Sequence, residues 1–191
     1  MELPMTEPRK TDLGTDVSLI GPEHVRRYRE TNGEVGHIWN GVPTLLLTTT
    51  GRRSKRAQML PLIYGTDGDR YVIVASKGGA PEHPGWYQNI EKTPEVELQV
   101  KDEVFRARAR TAQGEERERL WRKANEVWPH YDEYATRTDR EIPVVVLERV
   151  EASDCYDAAD QLRYIAPMCR WSVPQQPPTT LTRGRLGRSA P

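Results

Sequence analysis

Four cationic side chains lie close together in a segment that follows a run of β-forming residues. Arg52, Arg53, Lys55 and Arg56 all fall within the six residues that begin at Gly51. Because like charges repel, and because arginine forms paired hydrogen bonds with phosphate and carboxylate groups, such a cluster favours a bound anion. A solvated turn at the surface explains these residues equally well when they are taken alone. The segment predicts an anion site only in combination with other residues.

A second candidate for anion binding is the turn Ser76-Lys77-Gly78-Gly79, which ends a buried apolar strand. Two glycines after a strand allow successive backbone N–H groups to converge, and Lys77 adds a positive charge beside them. The alternative interpretation is a flexible glycine hinge that binds nothing. The sequence leaves open whether this turn and the cationic loop lie at the same end of the sheet.

Two aromatic segments have the residue types that hold a flat ligand. Trp86 and Tyr87 open a short predicted helix, and Trp128, Tyr131 and Tyr134 follow a longer one. Since Tyr131 and Tyr134 are three residues apart, a helix places both phenols on one face, where they can donate to a carbonyl or nitro group. Packing of these rings in the core is the alternative, and for Trp86 and Tyr87 alone it is the better supported one.

Composition narrows the kinds of protein that this chain can be. The 28 basic and 28 acidic residues cancel, which argues against a dedicated nucleic-acid binder. The four histidines lack metal-ligand spacing, and no nucleophile elbow, P-loop or dinucleotide-binding glycine motif occurs. Cys155 and Cys169 lie beyond the predicted domain, and there is neither a secretory signal nor an apolar run of membrane-spanning length, so a cytoplasmic location is predicted. Redox chemistry would then depend on an organic cofactor.

Short strands joined by hairpins are predicted to position these groups. Strands are expected at 43–50, 58–64, 70–76, 95–100, 104–110 and 142–147, and helices at 22–32, 84–91, 114–127 and 131–139. Pro61 within the second strand indicates a sheet edge or a bulge. Six antiparallel strands favour a small closed or split β-barrel with flanking helices. This domain is predicted to span 21–150, between a disordered leader at 1–20 and a largely disordered tail at 151–191.

Five short motifs follow one another along the chain. They are Thr48-Thr49-Thr50-Gly51-Arg52-Arg53-Ser54, Pro61-Leu62-x-Tyr64, Val74-Ala75-Ser76-Lys77-Gly78-Gly79, Pro84-x-Trp86-Tyr87-x-Asn89 and Thr138-Asp139-Arg140-x-Ile142-Pro143-Val144-Val145-Val146. Each is unspecific alone, but their order and spacing over residues 35–150 are specific. The set resembles the deazaflavin-dependent nitroreductases, also called F420H2-dependent quinone reductases. The resemblance implies a split β-barrel of the flavin-binding type that binds coenzyme F420.

The resemblance also implies a role for individual residues. The anionic phosphodiester and polyglutamate tail of the coenzyme would bind Arg52, Arg53 and Ser54, with Lys55, Arg56 and Lys77 nearby. The other implied coenzyme-binding residues are Gln58, Met59, Leu60, Pro61, Leu62, Ile63, Ala75, Ser76, Gly78, Gly85, Trp86, Tyr87 and Asn89. Those implied for the substrate are Tyr64, Trp128, Tyr131 and Tyr134, with Ser76, Tyr131 and Tyr134 as the catalytic residues. No metal is expected.

The predicted function is transfer of a hydride from reduced F420 to a planar, electron-poor acceptor, which is a quinone, a nitroaromatic or an unsaturated carbonyl. One alternative is a flavin mononucleotide oxidoreductase on the same barrel, and another is a non-catalytic deazaflavin carrier. Six candidate anion donors exceed what a single phosphate needs, which favours F420. The expected partner is a small-molecule acceptor and not nucleic acid. Peripheral membrane contact, and the choice between monomer and homodimer, are left open.

Overall fold

A computed structural model of the chain describes Leu19 and residues 21–150. The predictions made for residues 1–18, 20 and 151–191, including both cysteines, lie outside the described residues. The helices are α1 (Pro22–Glu30), α2 (Gly85–Ile90), α3 (Gly114–Val127) and α4 (His130–Thr136). The strands are β1 (Ile38–Trp39), β2 (Val42–Thr50), β3 (Ala57–Asp67), β4 (Arg70–Val74), β5 (Glu95–Val100), β6 (Glu103–Thr111) and β7 (Val144–Arg149).

Six of the strands form a closed antiparallel barrel. Their order is β2-β3-β4-β7-β6-β5, and pairing of β5 with β2 completes the ring. Alternating side chains of these strands fill the interior, where Leu45, Leu47 and Leu98 are fully buried. The predicted fold class, a mostly β barrel with flanking helices, is confirmed. A two-residue strand, β1, pairs with the start of β2 and was not predicted.

The barrel is split between β3 and β4. Residues 57–63 of β3 pair with β2, but β3 pairs with β4 only from Tyr64 to Asp67. Beyond Ile73, β4 continues alongside β7, with Val74 opposite Val144. Within the described residues, the first half of β3 therefore has one unpaired edge. Pro61, which lacks an N–H group, lies in this half, so its predicted edge position is confirmed.

The strand β4 ends two residues earlier than predicted. Ser76 has a right-handed helical backbone (φ −71°, ψ −43°), which turns the chain away from the sheet into the short 3-10 turn Lys77–Gly79. Because β2 and β4 are both antiparallel to β3, they run in the same direction. The β2–β3 loop and the turn after β4 therefore lie at the same end of the barrel, which the sequence had left open.

Helices cover both ends and one side of the barrel. At the end that carries the β2–β3 loop, Trp86, Tyr87 and Ile90 of α2 pack into the barrel core. At the opposite end the hydroxyl of Tyr28 on α1 accepts a hydrogen bond from the Lys101 N–H at 2.8 Å. On the outer face Leu120 of α3 packs against β4 and β7.

Candidate active site

The cationic loop between β2 and β3 is a tight turn. Gly51 N–H donates to the Arg56 carbonyl at 2.8 Å, and Lys55 N–H donates to the Gly51 carbonyl at 2.8 Å. A Cβ atom at Gly51 would clash with Ser54 Oγ and lie 3.2 Å from the Arg56 carbonyl oxygen, so a larger residue would have to displace the Ser54 hydroxyl. Lys55 has a positive φ of 57°. The turn leaves Arg53, Ser54, Lys55 and Arg56 exposed.

None of the four cations of this loop forms an ion pair within residues 21–150. Other arginines of the barrel surface do: Arg110 pairs with Glu116 at 2.6 Å, and Arg119 pairs with Asp67 at 2.6 Å. The positive charge of the loop is therefore not neutralised by the described part of the chain. A local excess of unpaired cations on an otherwise neutral protein attracts an anionic ligand.

The buried side chain of Asn89 on α2, which is 2% exposed, holds the cationic loop in place. Its Oδ1 accepts a hydrogen bond from the Arg52 backbone N–H at 3.0 Å. Its Nδ2 donates to Thr49 Oγ1 at 3.1 Å and to Gln58 Oε1 at 2.9 Å. The predicted coenzyme residues Asn89 and Gln58 thus lie together beside the cationic loop. Asn89 positions the backbone of that loop at Arg52.

The turn after β4 has the backbone geometry of an anion-binding nest. Ser76 is in the right-handed helical region, whereas Lys77 and Gly78 have positive φ values of 50° and 65°. Alternation from right-handed to left-handed backbone makes successive N–H groups converge. Within the described residues, the N–H groups of Ser76, Lys77 and Gly78 have no backbone acceptor. The predicted nest is therefore present in the geometry, with the Lys77 ammonium exposed beside it and 3.4 Å from Glu82.

Arg140 holds this turn together. Its guanidinium donates to the carbonyls of Ser76 at 2.7 Å, Ala80 at 2.8 Å and Ala75 at 3.2 Å. Arginine suits this task because one planar group carries five N–H donors. No role was predicted for Arg140, although it stands within the motif near the last strand. A single guanidinium therefore joins the chain before β7 to the turn after β4.

An aromatic cluster lies on the outer side of the split. It consists of Trp39, Trp128, Tyr131 and Tyr134, and it packs with Ile63 of the unpaired β3 edge. The ring centroids of Trp39 and Trp128 are 6.0 Å apart, and those of Tyr131 and Tyr134 are 6.3 Å apart. Three of the four predicted substrate residues are therefore brought together beside the split.

The two phenols of this cluster are hydrogen-bond donors without a partner among the described residues. Burial, and to a smaller extent the neighbouring Tyr134, raise the pKa of Tyr131 above its usual value, so its phenol keeps its proton at physiological pH. The Ser76 hydroxyl, also predicted to be catalytic, likewise makes no hydrogen bond within residues 21–150. These three hydroxyls are free to donate to a bound molecule.

Several predicted site residues have their side chains inside the barrel. Tyr64 packs against Tyr71 in the barrel core, with ring centroids 5.4 Å apart, and does not reach the aromatic cluster. The others that belong to or pack against this core are Leu60, Leu62, Ala75, Trp86 and Tyr87. Because side chains alternate along a strand, Met59, Pro61 and Ile63 face the other side. Gly78 and Gly85 are exposed. The outward-facing residues of β3 therefore belong to the half of the strand that has an unpaired edge, and Ile63 among them packs with the aromatic cluster.

Trp39 is the one aromatic residue of the cluster that sequence reasoning missed. Asn40 and Gly41 have positive φ values of 50° and 80°, as a two-residue hairpin turn of type I′ requires. The Asn-Gly pair is a strong hairpin signal, and it stands between Trp39 and its cross-strand partner Val42. That signal was sufficient to predict β1.

Residues 21–150 contain no cluster of three or more histidine, cysteine or acidic side chains arranged to hold a metal ion. In the same part of the chain, no helix has both the length and the apolar character needed to cross a membrane.

Comparison with known proteins shows which family this chain resembles. The family model described as F420H(2)-dependent quinone reductase matches residues 21–149. An F420H(2)-dependent quinone reductase of Mycobacterium tuberculosis (strain ATCC 25618 / H37Rv) is 45% identical over 130 residues, which are 66% of this chain and 87% of the relative.

Two solved structures extend the comparison. One is described as an F420-H2 dependent reductase (FDR-A), with 46% identity, a TM-score of 0.52 and coverage of 56% of this chain and 94% of the other. Another, described as a domain-swapped dimer, is 42% identical with a TM-score of 0.55, covering 66% of this chain and 95% of the other. These matches confirm the resemblance, the oxidoreductase class and the assignment of coenzyme F420. The chain belongs to the F420H2-dependent quinone reductase family.

Proposed function

We propose that this protein binds coenzyme F420 along the split between β3 and β4 and reduces a quinone at the aromatic cluster. One observation carries the proposal: four cations without ion-pair partners in residues 21–150 lie at the same end of the barrel as the nest after β4. An elongated anion with several charges fits this arrangement.

The described residues fit the chemistry of the coenzyme. Its phosphodiester and polyglutamate tail are anionic, which matches the cationic loop and the converging N–H groups at Ser76 to Gly78. The unpaired edge of β3 offers backbone donors and acceptors to the polar edge of a flat ring, beside the outward-facing Met59 and Pro61. When bound, reduced F420 supplies the hydride.

Two residues set the backbone shape of this site. Asn89 fixes the loop backbone at Arg52, and Arg140 fixes the turn that contains Ser76. Preorganised donors cost little reorganisation when a ligand binds, so both residues contribute to affinity by positioning.

The aromatic cluster is suited to a planar acceptor. Trp128 and Tyr131 are 7% and 5% exposed, so they form an apolar wall that excludes water from one face of the acceptor. The phenols of Tyr131 and Tyr134 and the hydroxyl of Ser76 can donate to oxygen atoms of the acceptor, where negative charge develops during reduction. Removal of one such donor is expected to slow the reaction on the order of a hundredfold.

The test is a fluorescence titration of the protein with F420 and, separately, with flavin mononucleotide. The double variant Arg53→Gln, Arg56→Gln should weaken F420 binding about tenfold, which corresponds to about 1.4 kcal/mol. It should also flatten the dependence of binding on salt, because two exposed charges are lost.

The matched control is Arg106→Gln, Arg122→Gln, which removes two exposed arginines that also lack ion pairs within residues 21–150. This control should bind F420 as tightly as the wild type. Tighter binding of flavin mononucleotide than of F420 would overturn the cofactor assignment. Equal losses of affinity in the loop variant and the control would overturn the loop as the anion site.

A further inference from the structure

The indole of Trp39 carries a buried donor that nothing in the described structure satisfies. Its Nε1 atom is shielded from solvent and has no hydrogen-bond acceptor within residues 21–150. Trp121, which packs against the same group of side chains, donates its Nε1–H to Asp132 Oδ1 at 2.9 Å. Because a buried donor without an acceptor destabilises a protein, an unmet indole N–H indicates a missing partner.

The local backbone holds Trp39 firmly in this position. Trp39 pairs with Val42 across the tight Asn40-Gly41 turn, whereas its neighbour Ile38 is 60% exposed. The Trp39 ring packs beside Trp128, with an angle of 31° between the two planes. The hairpin therefore presents one side chain of β1 to the aromatic cluster and leaves the other in solvent.

We propose that the acceptor, on binding, displaces the groups that shield the Trp39 Nε1–H from solvent, and that this N–H then donates a hydrogen bond to a carbonyl oxygen of the acceptor and so sets its orientation at the aromatic cluster. This inference rests on the proposed function, since it takes the cluster as the acceptor site. Trp39 is then a substrate-binding residue that favours acceptors bearing a carbonyl or nitro oxygen over hydrocarbons of the same shape. Tyr131 and Tyr134 are the other donors of the cluster.

The test compares Trp39→Phe with Trp121→Phe. Both substitutions keep an aromatic ring and delete one indole N–H, but only in Trp121 is that N–H satisfied in the free protein. The probes are 2-methyl-1,4-naphthoquinone and its hydrocarbon analogue 2-methylnaphthalene, which has no oxygen. In Trp39→Phe the KM for the quinone should rise about fivefold, as expected for one lost hydrogen bond, while inhibition by the hydrocarbon and the affinity for F420 stay unchanged.

Trp121→Phe should behave in the opposite way. Its Tm should fall because Asp132 loses a partner, and its KM for the quinone should stay at the wild-type value. Equal KM values in Trp39→Phe and the wild type would overturn the inference. So would a parallel loss of quinone and hydrocarbon affinity, since that result indicates packing alone.

Binding without turnover separates this inference from the proposed function. A wild-type protein that binds no F420 and reduces no quinone would overturn the proposed function. In that case the quinone-induced rise in Tm decides: a rise that is smaller in Trp39→Phe than in the wild type supports the inference. An equal rise in both proteins, or no rise in either, overturns it.

Discussion

Substitution of Asn89 by alanine should both destabilise the protein and weaken its binding of F420. The side chain is 2% exposed and makes three hydrogen bonds, to the Arg52 N–H, the Thr49 hydroxyl and the Gln58 amide. At about 1 kcal/mol for each net hydrogen bond, the free energy of unfolding should fall by about 3 kcal/mol. For a domain of this size that corresponds to a fall in Tm of about 10 °C.

The effect on the coenzyme has a separate cause. Without the amide, the Arg52 N–H loses its acceptor, and the backbone that carries the cationic loop is no longer held. The loop must then become ordered when F420 binds, and the entropic cost of this ordering should lower the affinity for F420 about tenfold. Differential scanning fluorimetry measures the first effect, and titration of the folded variant with F420 below its Tm measures the second.

Asn125 offers a matched control because it also makes three hydrogen bonds, one within α3 and two to Asp132 of α4. Its Nδ2 donates to the Trp121 carbonyl and to Asp132 Oδ1, and its Oδ1 accepts from the Asp132 N–H. Asn125→Ala should lower the Tm but leave F420 affinity unchanged. The reasoning is refuted if Asn89→Ala loses stability and still binds F420 like the wild type. It is refuted as well if Asn89→Ala costs less than about 1 kcal/mol.

Two further predictions concern pH. Burial lowers the pKa of His24, whose Nε2 donates to the Gly36 carbonyl at 2.7 Å, so the unfolded chain binds a proton more readily than the folded one. The contribution of His24 to stability is therefore complete above pH 6.5 and declines below it. When Tm is measured from about pH 8 to about pH 5, it should fall with pH, and His24→Gln should reduce the slope of this fall. An equally steep slope in that variant would contradict this account. Hydrogen bonds and ion pairs with Arg119 and Lys123 hold the pKa of Asp67 well below its usual range. Asp67→Asn should lower the free energy of unfolding, measured in urea at neutral pH, by about 1–3 kcal/mol. This difference from the wild type should shrink as the pH falls below about 4, whereas a difference independent of pH would argue against these ion pairs.

Local patterns were sufficient to predict most of the barrel. Alternation of apolar and polar residues indicated β5 and β6, and the tight Asp67-Gly68 turn joined β3 to β4 as expected. Pro61 correctly indicated an edge, because the lack of one N–H restricts where a strand can place it. These signals depend on residues that are neighbours in the sequence, so they can be interpreted without knowledge of the tertiary contacts.

Other features depended on contacts that no local pattern contains. Leu60 and Pro61 are neighbours in the sequence, yet the side chain of Leu60 packs against the core whereas that of Pro61 faces the opposite side of the strand. Tyr64 was grouped with the substrate residues, but the strand alternation places it inside the barrel. The roles of Asn89 and Arg140 as positioning residues were visible only once their partners were known.

The sequence alone was sufficient to predict the types of the elements, the family resemblance and the chemical groups that could bind a redox coenzyme. The tertiary structure decided which of those groups meet. Arg52 and Asn89 are 37 residues apart, and Ser76 and Arg140 are 64 residues apart, yet each pair is joined by a hydrogen bond. Burial and hydrogen-bond partners are set by such distant contacts, because the closure of the barrel brings them together and its split keeps one edge of β3 open.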